Sequence, residues 1–572
     1  MKRLASTALL LVALLASRAG LPAPSPTPDP VRFVDVTDAV GIDFHHESSA
    51  TSEKYLPETM GSGVALFDFD GDGRLDIFFA NGARLRDPMP PGAVPEKDGP
   101  RYWNRLYRQK EDGRFEDVTS RAGLAGVGFG QGVAVGDYDN DGHEDLYVTG
   151  LGGNRLYHND GKGHFDDVTV EAGVAASGWS TSAVFADFDR DGRLDLFVGR
   201  YLDWSFEDNP YCGEKAPGPR AYCHPDLFKG AAALLFHNEG GGRFKDVSRA
   251  AGIANAEGKS LGVALSDFDR DGVIDLAVAN DSVRQFLYRG RGDGSFEDVA
   301  LGAGTAFDQD GRAFAGMGVD FGDYDNDGWP DIVVTNLSNE RYALFHNAAH
   351  GTFTYETHSS GLGSMTRLYS GWGVRFLDYD NDGWKDLFLA QGHVMDTIEL
   401  TSPHLRYRQP PLLARNEGGR FRDASAASGD VFKEAWAARG MAVGDIDNDG
   451  DLDVVVSTVG GRAYLLRNEG GNRGHWIELR LIGRRSNRDG IGADVRLVTA
   501  SGGLRQATAS TSGSYLSASD GRVHFGLGSE TRCRSIEIRW PSGGIQRLED
   551  VPADQLLTLI EPDASASSGQ RP

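Results

Sequence analysis

A nine-residue acidic loop, D-x-D-x-D-G-x-x-D, recurs seven times between Asp68 and Asp453 and limits what this chain can fold into. The carboxylates are Asp68, Asp70, Asp72 and Asp76; Asp137, Asp139, Asp141 and Asp145; Asp187, Asp189, Asp191 and Asp195; and Asp267, Asp269, Asp271 and Asp275. They continue as Asp323, Asp325, Asp327 and Asp331; Asp378, Asp380, Asp382 and Asp386; and Asp445, Asp447, Asp449 and Asp453. Four carboxylates so close together repel unless a hard cation sits between them. Calcium takes about 6–8 oxygen ligands and tolerates irregular geometry, whereas magnesium demands a near-ideal octahedron and keeps its waters. The expectation is one structural Ca2+ per loop, about seven per chain.

Glycine at position 6 permits the sharp turn, as in the first half of an EF-hand loop. An EF-hand proper needs a Glu at position 12 and helical flanks, and neither is present. Runs such as GVALFDFD before a loop and LDIFFA after it are short, β-branched and apolar, which is the pattern of strands. The loops recur about every 63 residues. Each unit adds a third strand (NRLYRQ, NRLYHND, ALLFHNE) and a fourth (FEDVTS, FDDVTV, FKDVSR). Four strands per repeat is the grammar of a propeller blade. The seventh loop has no fourth strand after it, and the missing copy is FVDVTDAVGI at Phe33. The fold expected is therefore all-β: a seven-bladed β-propeller over 31–471, its last blade completed by the N-terminal strand 31–38. Residues 472–561 alternate as strands of a small β-sandwich.

These loops resemble the FG-GAP (VCBS-type) repeats of integrin α-subunit propellers over roughly 31–470. The segment from NRGHWIELRLIG through GSYLSASDGRVHFGLG to IEIRWPSGGIQRLEDV resembles the ASPIC/UnbV domain. With LPETMGSGVALFDFDGDG and SGWGVRFLDYDNDGWKDLFLAQGHV, the whole chain resembles the cartilage-acidic-protein-like family. The resemblance implies a secreted, calcium-binding propeller with a small C-terminal β domain, and it supplies no reaction.

The net charge of −25 looks like a docking signal for a basic partner, but the loops hold 28 of the 83 acidic residues. Seven divalent ions would bring the charge to −11. No basic patch with interleaved aromatics speaks for nucleic acid. Residues 1–19 read as a signal peptide: Lys2 and Arg3, an apolar Ala8–Ala16 core too short to span a bilayer, and Ser17-Arg18-Ala19. A Pro-rich linker (20–30) follows, and a polar tail (562–572) reads as disordered. The address expected is secreted, periplasmic or extracellular, with no membrane span. Cys212 and Cys223, 11 apart, read as a disulfide in an exported chain, with a metal site using His224 as the alternative. Cys533 reads as a small core residue.

The loops between second and third strands leave the face opposite the acidic loops, and three are long: Asn81–Arg101, Arg200–Gly230 and Gln391–Pro411. Long loops on a rigid scaffold are where binding resides. The candidate ligand residues are Tyr201, Trp204, Tyr211, Tyr222, His224, His393, His404 and Tyr407. Alternatively, these loops only cover the end of the propeller. Three motifs read as scaffold: Arg291-Gly292-Asp293 as a hairpin turn, Gly258–Gly262 (G-x-S-x-G) as blade grammar, and His45-His46-Glu47 as a solvated loop. The leading functional reading is a non-catalytic calcium-stabilised module binding an extracellular protein or glycan. The alternative is an enzyme acting on polysaccharide or in secondary-metabolite biosynthesis, with its site at the channel mouth.

Overall fold

The computed structural model describes residues 31–214 and 219–563. The expected signal peptide, the linker and all but the first two residues of the tail lie outside the described residues. The described chain is almost entirely strand, and its longest helix, Leu362–Thr366, has 5 residues.

Between residues 31 and 469 the strands form seven four-stranded antiparallel sheets, consistent with propeller blades. In six of them the strands follow one another in sequence, as in Phe129–Gly136, Asp145–Leu151, Arg155–Asn159 and Phe165–Asp167. The third sheet is interrupted by the ribbon Cys212–Gly213 with Arg220–Ala221. The remaining sheet takes Ala438–Gly444, Asp453–Thr458 and Tyr464–Glu469 from one end of the chain and Arg32–Asp35 from the other. There Phe33 faces Asn468 in register, and its ring packs against Phe388, Phe432 and Tyr379.

Burial falls from the first strand of each sheet to the last. All eight residues of Phe129–Gly136 are buried, whereas only the Phe of Phe165–Asp167 is. Strands covered on both faces must be apolar throughout, which explains the continuous runs before each loop. The entry to some first strands also needs glycine, because the neighbouring backbone comes too close for a side chain, as just before Val319–Gly322. A Cβ on Gly318 would lie 1.9 Å from the Trp372 carbonyl oxygen.

In the C-terminal region, His475–Ile482 lies between Val523–Gly528 (antiparallel) and Gln555–Ile560 (parallel). A second sheet runs in the order Leu504–Thr508, Asp494–Thr499, Arg532–Arg539, Ile545–Pro552. The two sheets share a core that includes Ile477, Leu479, Val495, Ile536 and Trp540. Cys533 is a free, buried thiol in that core.

Between these sheets, residues 509–520 (ASTSGSYLSASD) leave the domain and run among the first strands of the seven repeat sheets. Leu66 N–H donates to the Ala518 carbonyl (3.1 Å), Val133 N–H to Leu516 (3.0 Å), and Ser514 N–H to Val319 (2.8 Å). Gly513 N–H donates to Val263 (3.1 Å) and Asp520 N–H to Val443 (3.1 Å). Leu516 N–H donates to Ser182 Oγ (3.0 Å), and the Arg375 guanidinium donates to the Ser512 carbonyl. All seven sheets thus bond to one segment. First-strand backbone groups that face no other strand need partners when buried, and a Ser-, Thr- and Gly-rich chain brings donors and acceptors on small side chains.

The contact leaves no slack: a Cβ on Gly63 would lie 2.0 Å from the Leu516 carbonyl oxygen. Gly63→Ala is expected to lower stability by about 1–3 kcal/mol, read as a reduced denaturation midpoint. The control is Gly302→Ala, whose added methyl meets nothing within 4 Å.

Candidate functional site

The acidic loops share one wiring. In Asp137–Asp145, Asp137 accepts from Asp141 N–H (3.0 Å) and Gly142 N–H (2.7 Å). Asp145 accepts from Tyr138 N–H (3.2 Å) within the loop and from Asn159 N–H (2.8 Å) on the third strand. Positions 4 and 6 are left-handed, at φ 62° for Asn140 and 96° for Gly142, which accounts for the Asn and Gly found there.

A further bond ties neighbouring sheets together. The side-chain amide of Asn159 donates to the carbonyl of Phe69 in the preceding loop (2.8 Å). Asn238 does the same to Tyr138, Asn347 to Phe268, Asn416 to Tyr324, and Asn468 to Tyr379. Gln109 reaches Ile446 (3.0 Å), joining the first sheet to the last. Gly290 occupies the equivalent place in the fourth sheet and has no side chain to make the bond.

Carboxylate oxygens of Asp68, Asp70 and Asp76 lie within 4.8 Å of one another, as do those of Asp137, Asp139 and Asp145. Burial, reinforced by Asp70 and Asp68, pushes the Asp76 carboxyl up to about 8, and burial pushes Asp145 up to about 7. The position-5 carboxylates sit nearer the rim, and Asp141 accepts from His143 N–H (2.9 Å). Hard oxygen donors at this spacing, desolvated and like-charged, fit a calcium-type cation.

Sequence reasoning missed the base facing each loop from the third strand: Arg108, His158, His237, Arg289, His346, Arg415 and Arg467. His158 Nδ1 lies 3.3 Å from Asp145, and His237 and His346 lie 3.1 Å from Asp195 and Asp331. Hydrogen bonding to Asp145 raises the His158 imidazole to about 9. Arg108 pairs with Asp70 and Asp72, and Arg415 with Asp380 and Asp382. Arg289 and Arg467 pair with Glu297 and Glu469 instead. The signal was legible as a His or Arg at one fixed place in RLYRQ, RLYHN, LLFHN and their counterparts.

The second candidate region lies under the long insertions. Cys212 and Cys223 form a disulfide, so neither is a metal ligand. Four of the residues expected to meet a ligand are not presented to solvent: Tyr201 is 1% exposed, and Trp204, Tyr222 and His393 are each 6% exposed. The insertion packs down onto the repeats, with Trp204 edge-on to Trp179, Tyr55 and Phe206. Tyr211, His224 and His404 are exposed, and Tyr407 is half-buried. Tyr201, Tyr222, His224 and His393 instead line a mainly apolar cavity of about 270 Å³ with Trp372 and Asp281.

Polar groups around the cavity are held in unusual states. Asp281 accepts from Tyr201 Oη (2.5 Å), and burial raises its carboxyl. Glu58 accepts from Thr51 Oγ1 (2.5 Å) and Tyr222 Oη (3.2 Å), and burial pushes it up to about 7. Burial holds the His393 imidazole down at about 4. Arg439 is fully buried, lies 4.0 Å from the Trp372 ring centre, and donates to the Thr59, Ala438 and His393 carbonyls. Tyr515, from the C-terminal segment, packs edge-on to Trp372 at 4.9 Å and donates to Met60 O (2.7 Å).

The scaffold motifs resolve as follows. Arg291-Gly292-Asp293 sits between the strands Phe286–Gly290 and Phe296–Asp298, and Asp293 is bonded to Ser295. Ser260 begins the strand Ser260–Ser266 and is buried, with no helix following as a nucleophile elbow requires. The His45-His46-Glu47 expectation needs correction: His46 is fully buried and accepts from Gly460 N–H (3.2 Å), and burial lowers it to about 3.

Compared with known proteins, the chain matches the family described as FG-GAP-like repeat over residues 68–148, 137–198, 267–334, 323–389 and 405–456. It matches the family described as ASPIC and UnbV over residues 483–566. The Arg200–Gly230 insertion falls between matched repeats. It is 27% identical to cartilage acidic protein 1 of Homo sapiens over 508 residues, 87% of this chain and 62% of that protein. The Mus musculus protein is also 27% identical, over 513 residues, 87% of this chain and 64% of that one. The chain thus spans less than two thirds of these relatives' length. An Agrocybe aegerita lectin structure is 16% identical with a TM-score of 0.37, covering 64% of this chain and 87% of its own. A rhamnogalacturonan lyase is 12% identical with a TM-score of 0.34, covering 71% of each chain. Superpositions this loose carry no argument.

The Glu58 environment makes a pH prediction. Its carboxyl titrates near 7 in the fold against 4.5 normally, so its contribution is full below pH 4.5 and is lost as pH rises through 7. With calcium in excess, Glu58→Gln is expected to flatten the fall in melting temperature between pH 5 and pH 8.5. The effect amounts to at most roughly 3 kcal/mol, and equal slopes in both proteins would refute it.

Proposed function

Because the chain belongs to the FG-GAP-like repeat family, we propose that it is a secreted, calcium-stabilised seven-bladed β-propeller that binds a macromolecule, a protein or a glycan. In this reading the propeller spans 31–471 and a β-sandwich spans 472–561. The acidic loops hold about seven Ca2+ ions as structural elements. Calcium would neutralise the desolvated carboxylates that the third-strand bases only partly offset. Ion binding to the folded chain alone then adds stability by linkage.

The observation that carries the binding role is the face opposite the acidic loops. Two of the three long insertions, Arg200–Gly230 and Gln391–Pro411, line a cavity there, and Tyr211, His224 and His404 are exposed among them. The Cys212–Cys223 disulfide supports export to an oxidising compartment, and among the described residues no helix is long and apolar enough to cross a membrane. One observation favours an enzyme instead: a buried acid titrating near 7 beside a cavity suits general acid–base chemistry. Glu58 bonds to the Tyr222 hydroxyl and is not itself among the cavity-lining residues. Binding is therefore the primary reading.

Stripping calcium with a chelator is expected to lower the melting temperature by several degrees or more, with about seven ions per chain recovered by elemental analysis on reloading. An unchanged midpoint would remove calcium from the argument. Shortening the Arg200–Gly230 insertion to a tight turn is expected to abolish ligand capture in glycan-array and pull-down assays while the calcium-dependent melt persists. Undiminished capture would place the binding face elsewhere.

A further inference from the structure

The cavity beneath the insertions is assembled from distant parts of the chain. Its walls include Met60, Tyr201, Tyr222, Met317 and Trp372, and its acidic corner is Asp281. A cavity of about 270 Å³ exceeds the roughly 150 Å³ that suffices for a benzene ring. It can therefore hold one aromatic ring or a short alkyl chain together with a polar head.

The cations near the cavity are already engaged: Lys54, 5.2 Å from the Tyr222 ring centre, pairs with Asp396 at 2.6 Å. Neither Lys nor Arg lines the cavity, and burial keeps His393 neutral at ordinary pH. Asp281 receives hydroxyl bonds from Tyr201 and Ser282 but has no ion-pair partner among the described residues. The two bases in electrostatic range of it, His224 and Lys259, both pair with Asp226, at 3.5 and 3.3 Å. A second carboxyl, Glu58, stands behind Tyr222 and likewise has only hydroxyl and backbone donors. Arg439 is held on the Trp372 ring by four backbone carbonyls, so its charge is already solvated by the protein.

Aromatic walls with a buried, unpaired carboxylate are the chemistry that recognises ammonium groups, through the ring faces and the carboxylate together. We propose that this cavity binds a small organic cation: an ammonium group carried on an aromatic ring or a short alkyl chain. The ammonium lies at Asp281 and Tyr201, and the apolar body lies among Met60, Met317 and Trp372. The cavity shares Tyr201, Tyr222 and His224 with the insertion-bearing face proposed above for a macromolecule, but small probes read it independently of macromolecular capture, so either reading can fail alone.

The test uses the full, calcium-loaded chain and three probes of like shape: phenethylamine, 2-phenylethanol and phenylacetate. Binding is followed by isothermal titration, with tryptophan fluorescence as the second readout because Trp372 lines the cavity. The amine is expected to bind about tenfold tighter than the alcohol, a difference of about 1.4 kcal/mol, and phenylacetate is expected to bind weakest. Asp281→Asn should bring the amine to the alcohol's affinity, and Met317→Trp, which fills the cavity, should abolish binding of all three. Equal affinities, a preference for phenylacetate, no binding at millimolar concentration, or binding that survives Met317→Trp would each overturn the proposal. The probe ranking on the unmodified chain decides the matter even if a variant fails to fold.

Discussion

The acidic loop holds the repeat region together, because each one fastens its own sheet and six of the seven also accept a side-chain bond from a neighbouring sheet. The last Asp of the loop accepts one bond from within the loop and one from the third strand, as Asp145 does from Tyr138 and Asn159. The side chain at the third-strand position then reaches the preceding loop, as Asn159 reaches Phe69, and Gln109 to Ile446 links first sheet to last. These bonds are buried, so losing a partner would cost the desolvation of whatever is left unpaired. The burial that strengthens them also sets the carboxylates against one another. An acidic motif therefore becomes a demand for counter-charge, met partly by the third-strand bases and, on our reading, by calcium.

A second constraint acts at the inner edges of the sheets. First strands of seven sheets end against a common segment, and residues 509–520 bond to all of them. The C-terminal domain is thus fastened to the repeats by a strip of its own backbone. Tyr515, within that strip, packs on Trp372 and so reaches the cavity on the side away from the acidic loops. The contact runs from the C-terminal sheets through the repeats to that cavity, which gives the domain a direct structural path to it.

Much of the local architecture was legible because it repeats. The glycines at position 6, the apolar runs beside each loop and the third-strand Asn each recur at fixed offsets, and each maps to a local need: a left-handed turn, burial on two faces, or a bond to the loop before. The His and Arg column was equally periodic and was overlooked because it was read as a strand rather than as a partner of the loop. The insertions were a different case. Tyr201, Trp204, Tyr222 and His393 looked available because they lie in long polar loops, yet loop residues are buried whenever the loop itself has a core to pack. His46 was misjudged for the same reason: adjacent polar residues suggested solvent, and the backbone of Gly460 took its place.

The sequence by itself determined the repeat, the chemistry of its acidic loops and the all-β character, since turn geometry, strand periodicity and carboxylate spacing act over a few residues. Tertiary structure alone decided where residues 509–520 run, which insertion side chains are buried, and that Asp281 and Trp372 share a cavity with His393. Those outcomes depend on unpaired backbone groups and apolar surfaces finding partners tens to hundreds of residues away. No local pattern in either partner records that pairing.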